Sequence, residues 1–335
     1  MAPPRGVRFT PQGGGSVPAL GYGTAHIHNV TTIVAALEAG FRHIDTAALY
    51  GNHQAVGEAL RRSGIDRSKV FVTTKVSFLS KGGERLALRA SLAELGLKQV
   101  DLCLLHTPLT NSWPELAAAY LPHRLGRFQP LSWGPLRALA GPARRLLGWL
   151  NAAVGTAPAE GAAVRRAAWR ELQAARAAGA CRFIGVSNFD AGLLAELAAG
   201  GGSVPAVNQV ELHPRFQARE TLEYCRARGI AVFGYGNGLS LDLPQAAAIA
   251  ESRGGAVTPA QVALAWTLQA GAGAIVRSSR PMGMRHNLAA ADITLTEAEM
   301  AAMSAAGEDE PFYWDAGAVA REGPAGEGGA GDGEL

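Results

Sequence analysis

Short apolar, β-branched runs alternate along this chain with longer segments of helical period. Strand candidates fall at 41–45, 70–76, 100–105, 181–186, 204–210, 230–235 and 272–277, with a weaker eighth at about 19–23. Between them, apolar residues recur at helical spacing over 31–39, 54–63, 84–95, 163–178, 190–199, 217–228 and 259–270. Many of these helices stop at a glycine (Gly40, Gly64, Gly96, Gly179, Gly229 and Gly271), the residue that most readily takes the left-handed turn ending a helix. Strands alternating with helices predict an α/β fold with a parallel sheet, and eight such units close a (β/α)8 TIM barrel. In front of them, 7–9 and 17–19 flank a glycine-rich turn at Gly13–Gly15, which reads as an N-terminal β-hairpin.

A doubly wound sheet is the rival, and it usually carries Gly-x-Gly-x-x-Gly after its first strand. Here Gly21-Tyr22-Gly23 runs into Thr24, Ala25 and His26, so the third glycine is missing. Asp45, Lys75, His106, Ser187-Asn188, Gln209, Tyr235 and Arg277 each stand at or just past the C-terminal end of a strand candidate. In a parallel barrel these positions converge on the face where active sites are built.

Two segments break the rhythm. Asp45 and Lys75 are 30 residues apart, Lys75 and His106 are 31 apart, yet His106 and Ser187 are 81 apart. The reading is therefore a barrel over 1–316 with an insertion at 109–163, after the fourth strand, and a Gly/Ala/Glu-rich disordered tail at 317–335. The stretch 109–160 is expected to cover the barrel flank or lid the mouth, with a partner surface or membrane contact as alternatives.

Composition narrows the function. With 48% hydrophobic and 18% charged residues, the chain can bury enough surface to offset its ordering entropy, which excludes global disorder. A net charge of +3 with no long basic run excludes an electrostatic footprint for nucleic acid. Five arginines (Arg124, Arg127, Arg137, Arg144 and Arg145) against Glu115 and Glu160 place an excess equal to that +3 inside the insertion. Cys103, Cys181 and Cys225, odd in number and widely spaced, fit a reducing compartment and buried free thiols better than a disulfide frame. No targeting segment or membrane span is legible, so a soluble cytoplasmic protein is expected.

Asp45, Tyr50, Lys75 and His106 form a set with a shared chemistry at one barrel mouth. A lysine ammonium near a tyrosine hydroxyl stabilises the phenolate and lowers its pKa, a carboxylate holds the ammonium, and a histidine donates to a carbonyl oxygen. That set protonates an oxygen as charge develops on it, as carbonyl reduction by hydride requires. Singly, each residue has an ordinary explanation: a helix cap, a solvated lysine, a satisfied barrel histidine, a packing aromatic. Jointly, a buried lysine needs the partner that another strand supplies. His26, His28 and His53 lack the carboxylate or cysteine that would complete a metal set, so no metal is expected.

The stretch Phe41-Arg42-His43-Ile44-Asp45-Thr46-Ala47-Ala48-Leu49-Tyr50-Gly51-Asn52, followed by Val56-Gly57-Glu58-Ala59-Leu60, resembles the first signature of the aldo-keto reductases. Val70–Lys75, Asp101–His106, Ile184–Phe189 and Val207–Pro214 resemble further segments of the same family, and the likeness runs from about residue 6 to 310 apart from the insertion. It implies a (β/α)8 barrel that reduces aldehydes or ketones with NADPH, and its catalytic Asp, Tyr, Lys and His fall on Asp45, Tyr50, Lys75 and His106. It further implies that Ser187, Asn188 and Gln209 bond the nicotinamide carboxamide, that Tyr235 stacks on the ring, and that Thr24 joins the cofactor contacts. The resemblance also implies that Arg277 and Ser278 take the 2′-phosphate and that Asn287 meets the adenine.

The chain departs from the family pattern in places. Gly283 stands where an arginine is usual, with Arg280 and Arg285 nearby, and His286 stands where a glutamate is usual. Gly236-Asn237-Gly238-Leu239 replaces a Ser-Pro-Leu, and Ala25 and Thr107 occupy substrate-pocket positions that are often aromatic, implying a wider pocket for a small-molecule carbonyl. The alternative from another class is a barrel that binds NADPH without turnover, as a redox sensor or partner-regulating scaffold.

Overall fold

All eight strand candidates, the weak one included, close into a single barrel in the computed structural model of the chain, which describes residues 8–10, 14–77, 83–108, 158–307 and 311–313. The hairpin pairs β1 (Arg8–Phe9) with β2 (Val17–Pro18). The barrel strands follow: β3 (Leu20–Gly23), β4 (His43–Asp45), β5 (Phe71–Val76), β6 (Val100–Leu105), β7 (Cys181–Ser187), β8 (Val207–Glu211), β9 (Ala231–Tyr235) and β10 (Gly273–Val276). Every neighbouring pair is parallel, and β10 closes on β3.

Seven helices lie where the pattern places them: α1 (Val30–Ala39), α2 (His53–Arg62), α3 (Glu84–Leu95), α4 (Pro158–Ala177), α5 (Ala191–Ala199), α6 (Arg219–Ala227) and α8 (Pro259–Gln269). The fourth starts five residues ahead of its expected position, inside the stretch read as insertion. Three more were not expected: α7 (Pro244–Ser252), α9 (Pro281–Ala289) and α10 (Glu297–Ser304). Proline at the first turn starts α7 and α9, and a Thr296–Glu299 capping box starts α10. Residues 109–157 and the tail at 317–335 lie outside the described residues.

Strand alternation sorts the core into two layers. Phe71, Leu102, Leu104, Phe183, Val207 and Phe233 fill the barrel interior, with Val17 of the hairpin packed beneath them. The opposite faces of the strands carry Ile44, Val72, Leu105, Ile184 and Val232 against helix residues such as Ile33, Leu37, Leu88, Trp169 and Leu194. Close approach demands glycine at two points. A Cβ on Gly57 would lie 2.4 Å from the Leu95 carbonyl oxygen where α2 crosses α3, and one on Gly185 would lie 2.3 Å from that of Val207.

The cysteine expectation is corrected. Cys103 of β6 and Cys181 of β7 are joined by a disulfide across 78 residues of chain, and Cys225 alone is a buried free thiol. The ladder sets Val100 opposite Cys181 and Cys103 opposite Ile184, so the bridge runs diagonally between neighbouring strands. Sequence spacing hid a pairing that strand adjacency creates. Among the described residues, no helix is long and apolar enough to cross a membrane.

Candidate active site

The C-terminal ends of the strands deliver the polar side chains to one mouth. Asp45 ends β4 and Lys75 is the penultimate residue of β5; both point inward and are buried. Lys75 Nζ donates to Asp45 Oδ1 at 2.5 Å, to the Thr46 carbonyl at 3.2 Å and to the Tyr50 hydroxyl oxygen at 3.2 Å. Tyr50 ends a single 3-10 turn, Ala48–Tyr50, that Gly51 closes in the left-handed conformation. The ring, half-buried, sits with its centroid 4.9 Å from the Lys75 nitrogen.

Asn52, which sequence reasoning did not single out, fastens this loop. Its side chain accepts from Thr46 Oγ1 at 2.8 Å and donates to the carbonyls of Thr24 and Ile27 at 2.7 and 2.9 Å. Thr24 in turn donates its amide and its hydroxyl to the Asp45 carbonyl, at 2.9 and 3.0 Å. Its position behind Asp45 was legible only in part, because the contact runs through main chain.

His106 follows β6, and its imidazole meets the Tyr50 ring with centroids 5.7 Å apart at 78°. Its amide bonds the Val76 carbonyl and its carbonyl accepts from Asn188 Nδ2, both at 2.9 Å. Asn188 has φ 65°, a left-handed conformation that asparagine tolerates better than most residues. Its Oδ1 accepts from the Tyr235 hydroxyl at 2.6 Å, Ser187 donates to the Gln209 carbonyl at 2.8 Å, and Gln209 Nε2 donates to Asp45 Oδ2 at 2.8 Å. One network thus joins Asp45, Tyr50, Lys75 and Gln209, and a second joins His106, Asn188 and Tyr235.

The remaining expected residues rim this mouth. Arg277, exposed, donates to the Ala25 carbonyl at 3.0 Å across the β10–β3 joint, and the Ser278 carbonyl accepts from the Tyr22 hydroxyl at 2.7 Å. Thr107 is buried beside His106, and Ala25 is half-buried. Asn287 is half-buried on α9, with Arg285 and His286 exposed next to it and Arg280 exposed at the helix start. A Cβ at Gly283 would lie 2.5 Å from Ser278 Oγ, so a side chain at that position needs Ser278 to turn away. The ring nitrogens of His53 lie 2.9 Å from Thr74 Oγ1 and 3.2 Å from Glu94 Oε2.

Burial governs the protonation states. Burial and then the Asp45 carboxylate push the Tyr50 hydroxyl well above its ordinary value, with Arg277 opposing them. This corrects the expectation of a lowered hydroxyl for the protein alone; desolvation outweighs the nearby cation. Burial, reinforced by the Lys75 ammonium, holds His106 well below its ordinary value, so its imidazole is neutral. The mouth therefore presents a protonated phenol and a neutral imidazole side by side.

The model for the aldo/keto reductase family matches residues 19–237 and 238–308. Among relatives, an aldo-keto reductase of Mycobacterium sp. (strain MCS) is 34% identical over 310 residues, covering 90% of this chain and 91% of that protein. A methylglyoxal reductase of Yersinia pestis is 31% identical over 304 residues, covering 88% and 95%. Among solved structures, the aldo-keto reductase of Bombyx mori in complex with NADP superposes with a TM-score of 0.72 at 24% identity, covering 92% and 95%.

Proposed function

This chain belongs to the aldo/keto reductase family and is an oxidoreductase acting on carbonyl compounds; within that class, we propose that it reduces an aldehyde or ketone to the alcohol with NADPH. The observation that carries the reading is Lys75 Nζ, held by Asp45 Oδ1 at 2.5 Å while donating to the Tyr50 hydroxyl oxygen at 3.2 Å.

The donor set at the mouth fits a nicotinamide dinucleotide. The side-chain amides of Asn188 and Gln209 and the hydroxyl of Ser187 can exchange their present partners for a carboxamide, and Tyr235 offers an aromatic face. Arg277 with Ser278 suits a phosphate monoester, since a guanidinium binds phosphate in two-pronged fashion. Thr24 supports the floor through Asp45, and Asn287, half-buried on α9, is the residue assigned to the adenine.

Bound NADPH would supply the hydride to the carbonyl carbon. Tyr50 gives its proton to the carbonyl oxygen as negative charge grows there, and its high pKa in the free protein keeps that proton in place until then. The Lys75 ammonium, donating to the same phenol oxygen, stabilises the phenolate that is left. Asp45 holds the ammonium, and neutral His106 has one N–H to aim at the substrate oxygen. Ala25 and Thr107 leave room for the rest of the substrate.

The test follows NADPH absorbance with a panel of aldehydes and ketones. Tyr50→Phe is expected to lose turnover by about 10²–10⁴-fold while NADPH still binds, read by cofactor fluorescence. A wild-type chain that binds NADPH and reduces no carbonyl on the panel is the outcome that overturns the proposal in favour of a silent cofactor-binding barrel.

A further inference from the structure

Beyond the groups that serve the reaction lies a buried carboxylate with partners far away in the chain. Glu211, the last residue of β8, is 4% exposed. Its Oε1 accepts the main-chain N–H of Phe312 at 2.7 Å, and its Oε2 accepts that of Tyr313 at 2.8 Å. His213 Nε2 lies 3.1 Å from Oε1, and His213 Nδ1 accepts the Phe216 amide at 3.3 Å, so the ring's N–H points to the carboxylate. Both carboxylate oxygens therefore hold the segment 311–313 against the end of a barrel strand.

That grip places an aromatic ring at the mouth. Tyr313 meets Tyr235 with centroids 5.6 Å apart at 62°, and Phe312 packs on Tyr313 at 5.4 Å and 84°. A Cβ at Gly236, which has φ +88°, would lie 3.2 Å from the Tyr313 ring, so the tyrosine lies directly over the turn after β9. The platform beneath it is the Tyr235 side chain whose hydroxyl bonds Asn188, which in turn bonds the His106 carbonyl.

We propose that Glu211 is a positioning residue for substrate selection: by clamping the main-chain N–H groups of Phe312 and Tyr313, it sets Tyr313 as a wall of the mouth beside Tyr235, and that wall discriminates carbonyls by size. The proposal rests on the carbonyl-reductase reading above. A carboxylate is suited to the task because each oxygen accepts one amide; a carboxamide retains one acceptor and leaves one buried N–H without a partner.

The test compares the full chain with Glu211→Gln, Tyr313→Ala and the double variant. Selectivity is the ratio of kcat/KM for naphthaldehyde to that for methylglyoxal, with NADPH as donor. Tyr313→Ala is expected to raise this ratio about tenfold, as removal of a pocket wall does. Glu211→Gln is expected to move it the same way, and the double variant no further than the larger single change, because both act through one ring. In the cofactor-free chain, chymotrypsin is expected to cleave after Phe312 and Tyr313 several-fold faster in Glu211→Gln. Wild-type cleavage in that variant, or additive effects on the ratio, overturns the proposal. If Glu211→Gln fails to fold, an unchanged ratio in Tyr313→Ala overturns it alone. A wild-type chain that reduces neither carbonyl overturns the reductase reading instead, and the cleavage rates still decide the clamp.

Discussion

Gln209 donates its side-chain amide to Asp45 at 2.8 Å across 164 residues of chain, so both oxygens of a carboxylate that Lys75 already holds are taken. The ion pair is sealed, with side-chain exposures of 0% for Lys75 and 2% for Asp45. Removing one member of such a pair strands a buried charge. Asp45→Asn is therefore expected to lower stability by about 3–5 kcal/mol in urea unfolding, and Asp45→Asn with Lys75→Met to recover part of that loss while remaining inactive. A single variant as stable as wild type would contradict the sealed-pair account.

Acid stability should report on His43. Its ring nitrogens lie 2.8 Å from Thr73 Oγ1 and 3.4 Å from the Pro18 carbonyl, between the rings of Phe71 and Phe233. Burial, opposed by Asp45, takes its imidazole from 6.5 down to about 4. The unfolded chain therefore binds this proton first. The contribution is whole above about pH 6.5 and drains away as the pH falls toward 4, by up to about 3 kcal/mol. Urea midpoints across that range are expected to fall less steeply in His43→Leu than in wild type; parallel slopes would assign the acid sensitivity elsewhere.

Thiol counting tests the bridge between β6 and β7. Denatured without reductant, the chain is expected to show one reactive thiol, Cys225, and three after reduction. Closing a loop of 78 residues contributes about 4 kcal/mol on a chain-entropy account, so Cys103→Ala with Cys181→Ala should melt at a lower temperature. Three thiols in the unreduced chain would remove the bridge.

Cofactor preference turns on Arg277. This exposed guanidinium now bonds the Ala25 carbonyl, a contact it can give up for a phosphate. Arg277→Ala is expected to weaken NADPH binding about tenfold or more, as loss of a charge-assisted bond worth ~1.5–3 kcal/mol implies, and to spare NADH. Titration of cofactor fluorescence decides it, and equal losses for the two cofactors would exclude Arg277 from the 2′-phosphate.

The parts of the fold that were legible in the sequence are those written in side-chain period and glycine stops. The helix at Glu84–Leu95, with its glycine at 96, and the strand at Val100–Leu105 lie where the pattern set them. Helices Pro244–Ser252, Pro281–Ala289 and Glu297–Ser304 were missed because alanine and a few single apolar residues make up their inner faces, which leaves little periodic contrast. Side-chain chemistry at strand ends exposed Asp45, Lys75 and His106, since strand polarity brings such positions together whatever the loops do. Glu211 escaped notice because its partners are backbone amides about a hundred residues away, and a sequence displays no backbone. The direction of the Tyr50 shift was missed for a related reason: the burial of its hydroxyl, which together with Asp45 outweighs Arg277, is a property of packing.

Arg165, buried on the helix Pro158–Ala177, donates to the Pro108 carbonyl at 3.3 Å while both its Nε and Nη2 engage Glu196. One guanidinium thus ties the two chain ends that border residues 109–157 to a third element of the barrel. Strands Val100–Leu105 and Cys181–Ser187 pair through five register positions. The two borders of residues 109–157 are therefore anchored by the barrel's own contacts, which fix where the chain leaves the strand Val100–Leu105 and where it rejoins the barrel.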